Sequence, residues 1–372
     1  MSANITTVVS TKWLSDKLAS NPSNFRLLDG SWHLPSLKRD PKKEYLQEHI
    51  PTAQFFDIEE CRDKSTDIDD MLPSPEEFNA YVGNLGIDNN THVVIYDNNE
   101  KVGMLSAQRV WWVFRVFGHE KVSVVDGGLP KWKKDGYGLT DVIEKVEKKQ
   151  FKSVYHPEMV VSFDEMVANL EKKEFTVADA RPPGRYDGTA PEPRAVRKGT
   201  SHYVRALKNE MSKIDVSIEK KRSDKMSETE VKKKMDKHDK KDYKTKKIET
   251  KKKGDRKGYG NKKLDILLQH YGETKGSNVK SGHIPGTVNV PFFLMLNPET
   301  KTLKSPEKML EAFKEKGIDI DKPLTATCGS GISASMLVLA CHLLDKHHIR
   351  LYDGSWTEWF FKAKKEHILT KD

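Results

Sequence analysis

PLTATCGSGISASMLVLACHLL, residues 323–344, decides how this chain is read. Leu324 to Thr327 is a short strand-forming run, and a helix begins near Ser333 or Ala334 whose apolar positions are too dense for a surface helix. Between them lie Cys328 and a tight loop of Gly329, Ser330, Gly331 and Ile332. Glycines let the backbone curl so that successive N–H groups point inward, and the following helix turns the positive end of its dipole to the same place. A cysteine at the centre of such a cradle is a candidate nucleophile, because the donors favour its thiolate. They equally suit a persulfide, which is also an anion. Phosphatases that use a cysteine loop close it with an arginine fork. Here the sixth residue after Cys328 is Ala334, which weighs against that chemistry. Cys341, on the helix among leucines, reads as an ordinary buried thiol, and Cys61, in a charged stretch, as an exposed one.

Outward from this loop the chain repeats itself. FRLLDGSWH (25–33), EHIPTAQFFDI (48–58) and THVVIYDNNEKVGMLSAQRVWWVFRVFGHEKVSVVDGG (91–128) are echoed by FTVADARPPGRYDG (175–188), SGHIPGTVNVPF (281–292) and residues 323–355. His49 to Asp126 spans 77 residues and His283 to Asp353 spans 70, so order and spacing both recur. Each half alternates short β-branched runs (VVIY, VSVV, FTVA, IRLY) with helical patterns, which predicts an α/β fold with mainly parallel sheets flanked by helices. The expected plan is a first domain over 1–138, a linker with little to pack over 139–158, and a second domain over 159–372. With SAQ (106–108) and SAS (333–335) matched as helix starts, Asp97 follows the VVIY run of the first half as Cys328 follows LTAT in the second, so the first half reads as inactive. His49 and His283 recur in both halves and read as fold maintenance.

The 372 residues carry a formal charge of +9 with 36% hydrophobic residues and 3 cysteines, which excludes a disulfide scaffold. The charge is local. Residues 195–280 hold 27 basic and 13 acidic side chains, whereas the rest of the chain holds 37 and 42. This Lys-rich insertion in the second half is too poor in aliphatic residues to bury a core, and it is expected to be disordered. It offers the one argument for a nucleic-acid partner. No apolar run is long enough to span a bilayer, and the N-terminus lacks the plan of a signal peptide, so a cytoplasmic protein without membrane partners is expected.

Taken together, DARPPGRYDG, the Pro191-Glu192-Pro193-Arg194 segment, SGHIPGTVNVPF and YDGSWTEW resemble the two-domain rhodanese-family sulfurtransferases, most of all the 3-mercaptopyruvate branch. The resemblance covers both repeats apart from the insertion. It implies two rhodanese-like domains, the second catalytic, and a mitochondrial pool in some relatives besides the cytoplasmic one. It implies sulfur transfer from 3-mercaptopyruvate through a Cys328 persulfide to thioredoxin, a small thiol or cyanide, with pyruvate released and no metal or organic cofactor. By motif, Arg185 and Arg194 match the arginines that bind the substrate anion, while Gly329, Gly331, Ile332 and Ser333 line it. Ser330 is expected to bond the thiolate or relay a proton. Relatives that prefer thiosulfate place cationic side chains directly after the cysteine; here Gly329 and Ser330 are neutral. Thiosulfate is the alternative donor. A non-catalytic scaffold that binds nucleic acid through the insertion is the alternative of another class. The branch's histidine before Met-Leu-Pro is Asp70 here, a proton-relay candidate if its carboxyl is protonated, and Asp57 is a candidate to orient an arginine at the domain interface.

Overall fold

The computed structural model describes residues 5–193 and 279–370. Arg194 and positions 195–278 of the basic insertion lie outside the described residues. The first half runs β1 (Val8–Val9), α1 (Thr11–Ala19), β2 (Phe25–Asp29), α2 (Pro41–Gln47), β3 (Gln54–Phe55), α3 (Pro75–Asn84), β4 (His92–Tyr96), α4 (Ala107–Val116), β5 (Val122–Val125) and α5 (Gly128–Lys134). In the second half the described elements are β6 (Val160–Val161), α6 (Phe163–Lys172), β7 (Thr176–Asp179), α7 (Pro183–Asp187), β8 (Val288–Asn289), α8 (Pro306–Glu315), β9 (Leu324–Thr327), α9 (Ala334–Leu343), β10 (Arg350–Tyr352) and α10 (Ser355–Lys362). The strands pair in parallel, in the order β1-β5-β4-β2-β3 in one sheet and β6-β10-β9-β7-β8 in the other. The repeat in the sequence is therefore a repeat of topology, strand for strand.

Local chemistry sets the element ends. Ser74 and Glu77 close a capping box on α3, and Ser162 and Glu165 close one on α6, each satisfying backbone donors that a helix start leaves open. The histidine echo is structural, as expected. The His49 ring stacks on Tyr45 at 4.2 Å and its Nδ1 meets the Tyr45 carbonyl at 2.7 Å; His283 stacks on Tyr186 at 4.1 Å with Nδ1 at 3.0 Å from the Tyr186 carbonyl. Tyrosine and histidine are 4 residues apart in the first half and 97 in the second, so the extra chain enters between α7 and β8.

One core runs through both halves. The apolar faces of α4 and α9 meet, and Trp111, Trp112, Phe114, Leu337 and Leu339 are buried within the same cluster. Two aspartates then bond reciprocally across the contact. Asp353, just after β10, accepts the Leu72 N–H at 2.7 Å, and Asp126, at the matching place after β5, accepts the Leu303 N–H at 2.8 Å. Two residues before each leucine the chain takes a left-handed turn, at Asp70 (φ 61°) and Lys301 (φ 60°).

Two expectations need correction. The 139–158 connection does pack: Phe151 enters the core, and the N–H groups of Lys149, Val154 and His156 bond the carbonyls of Gly83, Phe117 and Val116. Cys61 is buried rather than exposed, and burial pushes its thiol pKa up, because tertiary packing covers a locally polar stretch. Cys341 is buried as expected, its thiol pushed up to about 12.

Two buried groups tilt stability in opposite directions with pH. Burial pushes the Asp29 carboxyl from 3.8 to about 6, against hydrogen bonds from Ser31. The folded chain thus holds a proton that the unfolded chain releases, so this contribution is full below pH 3.8 and lost as pH rises through about 6. Burial lowers His119 from 6.5 to about 4, so its contribution is present above pH 6.5 and lost as pH falls through about 4. Between pH 4 and 6, Asp29→Asn should make stability rise more steeply with pH than in the wild type. His119→Gln should flatten that rise, and urea midpoints across the range check both.

Candidate active site

The carboxyl ends of β7 and β9 lie side by side, with Asp179 in register with Thr327 and the Ala180 N–H on the Thr327 carbonyl at 2.8 Å. Cys328 follows one strand, and the segment that carries Arg181 and Arg185 follows the other. Ligands of parallel α/β sheets gather at this edge. Cys328 is 2% exposed and leads into the loop 329–333, where Gly331 takes φ +82° and α9 then begins. Strand end and helix start fall where the sequence puts them.

The start of α10 holds the cysteine loop from behind. The Trp356 N–H donates to the Cys328 carbonyl at 2.9 Å, and the Gly329 carbonyl accepts both the Thr357 N–H at 3.0 Å and the Thr357 hydroxyl at 2.7 Å. A trans peptide sets its C=O and the next N–H antiparallel, so pinning these two carbonyls toward α10 turns the N–H groups of Gly329 and Ser330 away from it. The Cys328 N–H is itself engaged by Ser355 Oγ at 3.2 Å, and Ser335 Oγ donates to the Gly331 carbonyl at 2.9 Å. From Gly329 to Ala334 no backbone N–H finds a protein acceptor among the described residues. Buried donors of this kind are normally satisfied. An anion at the loop would satisfy them.

The first half shows what such a cradle holds. Asp97 Oδ2 accepts the N–H groups of Leu105 at 2.8 Å, Ser106 at 2.5 Å and Ala107 at 2.8 Å, at the start of α4. These three match Ile332, Ser333 and Ala334 when the two helix starts are aligned. Burial still raises the Asp97 carboxyl, with the N–H donors working against it. In this half the anion is built into the chain.

The other expected residues divide. Ser330 is buried on the loop, and its hydroxyl makes no hydrogen bond among the described residues; Ile332 is buried and Ser333 half-buried. Arg185 is half-buried on α7, anchored by its own N–H on the Pro182 carbonyl, and its charge acts on Glu192. Among the described residues Asp57 holds no arginine side chain. Its Oδ1 caps its own turn through the N–H groups of Glu59 at 3.0 Å and Glu60 at 3.3 Å, a short-range use that an aspartate in a loop readily takes. Asp70 is buried at the contact between the halves, where its carbonyl accepts from Arg109 and its charge acts on Asp353.

Two buried arginines were not singled out from the sequence. Arg181 forks onto Asp179, with Nη2–Oδ2 at 2.6 Å, reaches Glu192 through Nη1 at 2.8 Å, and lies over the Trp356 ring at 4.7 Å. This triad ties Glu192 to the sheet. The Asp-x-Arg spacing of 179–181 beside Glu192 was the available signal. Arg109, on α4, reaches Asp353 across the halves at 2.7 Å.

The sequence profile of the rhodanese-like domain matches residues 10–135 and 270–362, one stretch in each half. The chain is 34% identical over 366 residues to a 3-mercaptopyruvate sulfurtransferase of Mus musculus, covering 98% of this chain and 95% of that protein. It is 36% identical over 361 residues to a thiosulfate sulfurtransferase of Rattus norvegicus, covering 96% and 93%. Among solved structures, the Tum1 protein of Saccharomyces cerevisiae superposes with a TM-score of 0.69 at 25% identity over 99% of both chains. SseA of Escherichia coli, described as a 3-mercaptopyruvate sulfotransferase, does so with a TM-score of 0.63 at 25% identity over 94% of this chain and 99% of that one. Among the described residues no helix is long and apolar enough to cross a membrane.

Proposed function

Starting from the fact that this chain belongs to the rhodanese-like sulfurtransferases, we propose that its sulfur donor is 3-mercaptopyruvate and that Cys328 carries the sulfur as a persulfide. The observation that carries this reading is the row of unspent N–H donors around a loop with neutral side chains. Cys-Gly-Ser-Gly offers main-chain donors to a sulfur anion and no cation of its own to a dianion such as thiosulfate. The donor's carboxylate then falls to Arg185, with Arg194 as second fork.

In the first step Cys328 thiolate attacks the substrate sulfur. An S–S bond forms, the S–C3 bond breaks, and its electron pair leaves on C3 as the enolate of pyruvate. The enolate takes up the proton of the substrate thiol, passed by the Ser330 hydroxyl. In the second step an acceptor thiolate, from thioredoxin, a small thiol or cyanide in its place, attacks the outer sulfur and returns Cys328 as thiolate. Asp70 is better assigned to the contact between the halves than to this relay, because its carbonyl is held by Arg109. The N–H cradle receives the negative charge in both thiolate and persulfide, so the loop need not rearrange between the steps.

Arg185→Ala should lower kcat/KM for 3-mercaptopyruvate roughly 10- to 100-fold, mainly through KM, since a charged hydrogen-bond pair is worth about 1.5–3 kcal/mol. Arg185→Lys should recover only part, having lost the fork. Steady-state pyruvate release measures both. Similarity to thiosulfate sulfurtransferases supports a second reading, with thiosulfate as preferred donor. Sulfite release faster than pyruvate release under matched conditions would establish that alternative and exclude the first.

A further inference from the structure

We infer that Arg109, contributed by the half that lacks Cys328, is a positioning residue for the cysteine loop. Its side chain is 2% exposed and touches three parts of the contact. Nη1 lies 2.7 Å from Asp353 Oδ1, Nη2 donates to the Asp70 carbonyl, and the guanidinium carbon sits 4.7 Å from the centre of the Trp112 ring. A fourth contact reaches the loop itself. A methyl group on Gly331 would fall 2.6 Å from Arg109 Nη1, so the guanidinium occupies the space against the backbone that turns at φ +82° between Ser330 and Ile332. The Asp353 carboxylate then extends the hold in sequence. It precedes Gly354 and Ser355, and Ser355 Oγ accepts the Cys328 N–H.

The aspartate–leucine ties between the halves are reciprocal, whereas this one is not. Asp353 and Asp126 exchange equivalent hydrogen bonds with Leu72 and Leu303, yet the position matching Arg109 in the second half is Met336. An arginine thus stands under the loop with the nucleophile, and an apolar side chain stands at the matching place on the other helix. The ion pair with Asp353 is close but not aligned as a hydrogen bond, and neither Nε nor Nη1 has an aligned acceptor among the described residues. What fixes the guanidinium is its planar shape between Trp112, Asp70, Asp353 and Gly331. Lysine has no such shape.

The inference rests on Cys328 being the sulfur carrier, and the test separates the two. Arg109→Lys and Asp353→Asn are compared with the wild type in near-UV circular dichroism, thermal melting, pyruvate release, and alkylation of Cys328 by iodoacetamide followed by peptide mass spectrometry. For variants folded at the assay temperature, the expected result is a fall in kcat of tenfold or more, KM for 3-mercaptopyruvate within about twofold of wild type, and an altered Cys328 alkylation rate. Folded variants with wild-type kcat and alkylation rate would overturn it. Failure of both variants to fold, with the residual folded fraction fully active per molecule, would also overturn it and leave Arg109 a purely structural group. A wild type that turns over no donor would refute the proposed function alone, because the alkylation arm still decides what Arg109 does.

Discussion

Replacing Cys328 with serine is expected to abolish sulfur transfer from every donor, lowering kcat by about a thousandfold or more, while leaving the fold intact. An oxygen in place of sulfur changes little in the volume of a loop held by main-chain bonds to Ser355, Trp356 and Thr357. It removes the sulfur that forms the S–S bond in the proposed reaction. The other thiols are not expected to take over, because desolvation raises the pKa of Cys61 and of Cys341 and disfavours their thiolates. Intact-mass spectrometry after exposure to 3-mercaptopyruvate should show one added sulfur on the wild type and none on Cys328→Ser. Equal uptake by the variant would remove Cys328 from its role.

The second large effect is on stability. Arg181→Leu leaves Asp179 and Glu192 buried together without their cation, and breaking a buried pair in this way costs about 3–5 kcal/mol. For a protein of this size that is a drop of roughly 10 °C in Tm, readable by calorimetry. Burial already raises the Glu192 carboxyl against the pull of Arg181, so removing the arginine should drive it to take up a proton. Glu192→Gln alone should cost less, since Arg181 keeps its fork on Asp179. A double-mutant cycle between positions 181 and 192 should return a coupling of at least about 1 kcal/mol. Arg194 stands two residues beyond Glu192, so the same variant should also raise KM for the donor.

What the sequence made legible is what is encoded locally. The strand ending at Thr327, the glycine loop and the start of α9 each rest on residues within a few positions of one another. The duplicated order of elements was legible from the echo of short motifs at similar spacing. Groups whose partners are distant in sequence were not. Nothing near Arg109 announces Asp353, 244 positions away, and nothing near Cys61 announces that the core would close over it. Phe151 is another case: in a highly charged stretch it reads as linker, yet it finds Phe78 and His119. Asp57 is a local case of another kind: its carboxylate caps the turn formed by the next three residues, a use that an aspartate in a loop encodes without any distant partner.

The paired exchange of Asp126 for Leu303 and Asp353 for Leu72 has the form of an isologous interface, in which one surface patch meets its own copy about a twofold axis. In a homodimer both copies must carry the same side chain at every position. Joining the copies into one polypeptide lifts that constraint, so one unit can fill its N–H cradle with an aspartate and lend an arginine, while the other carries a cysteine at its own cradle. Division of labour between two equal folds is what covalent fusion made available to this chain.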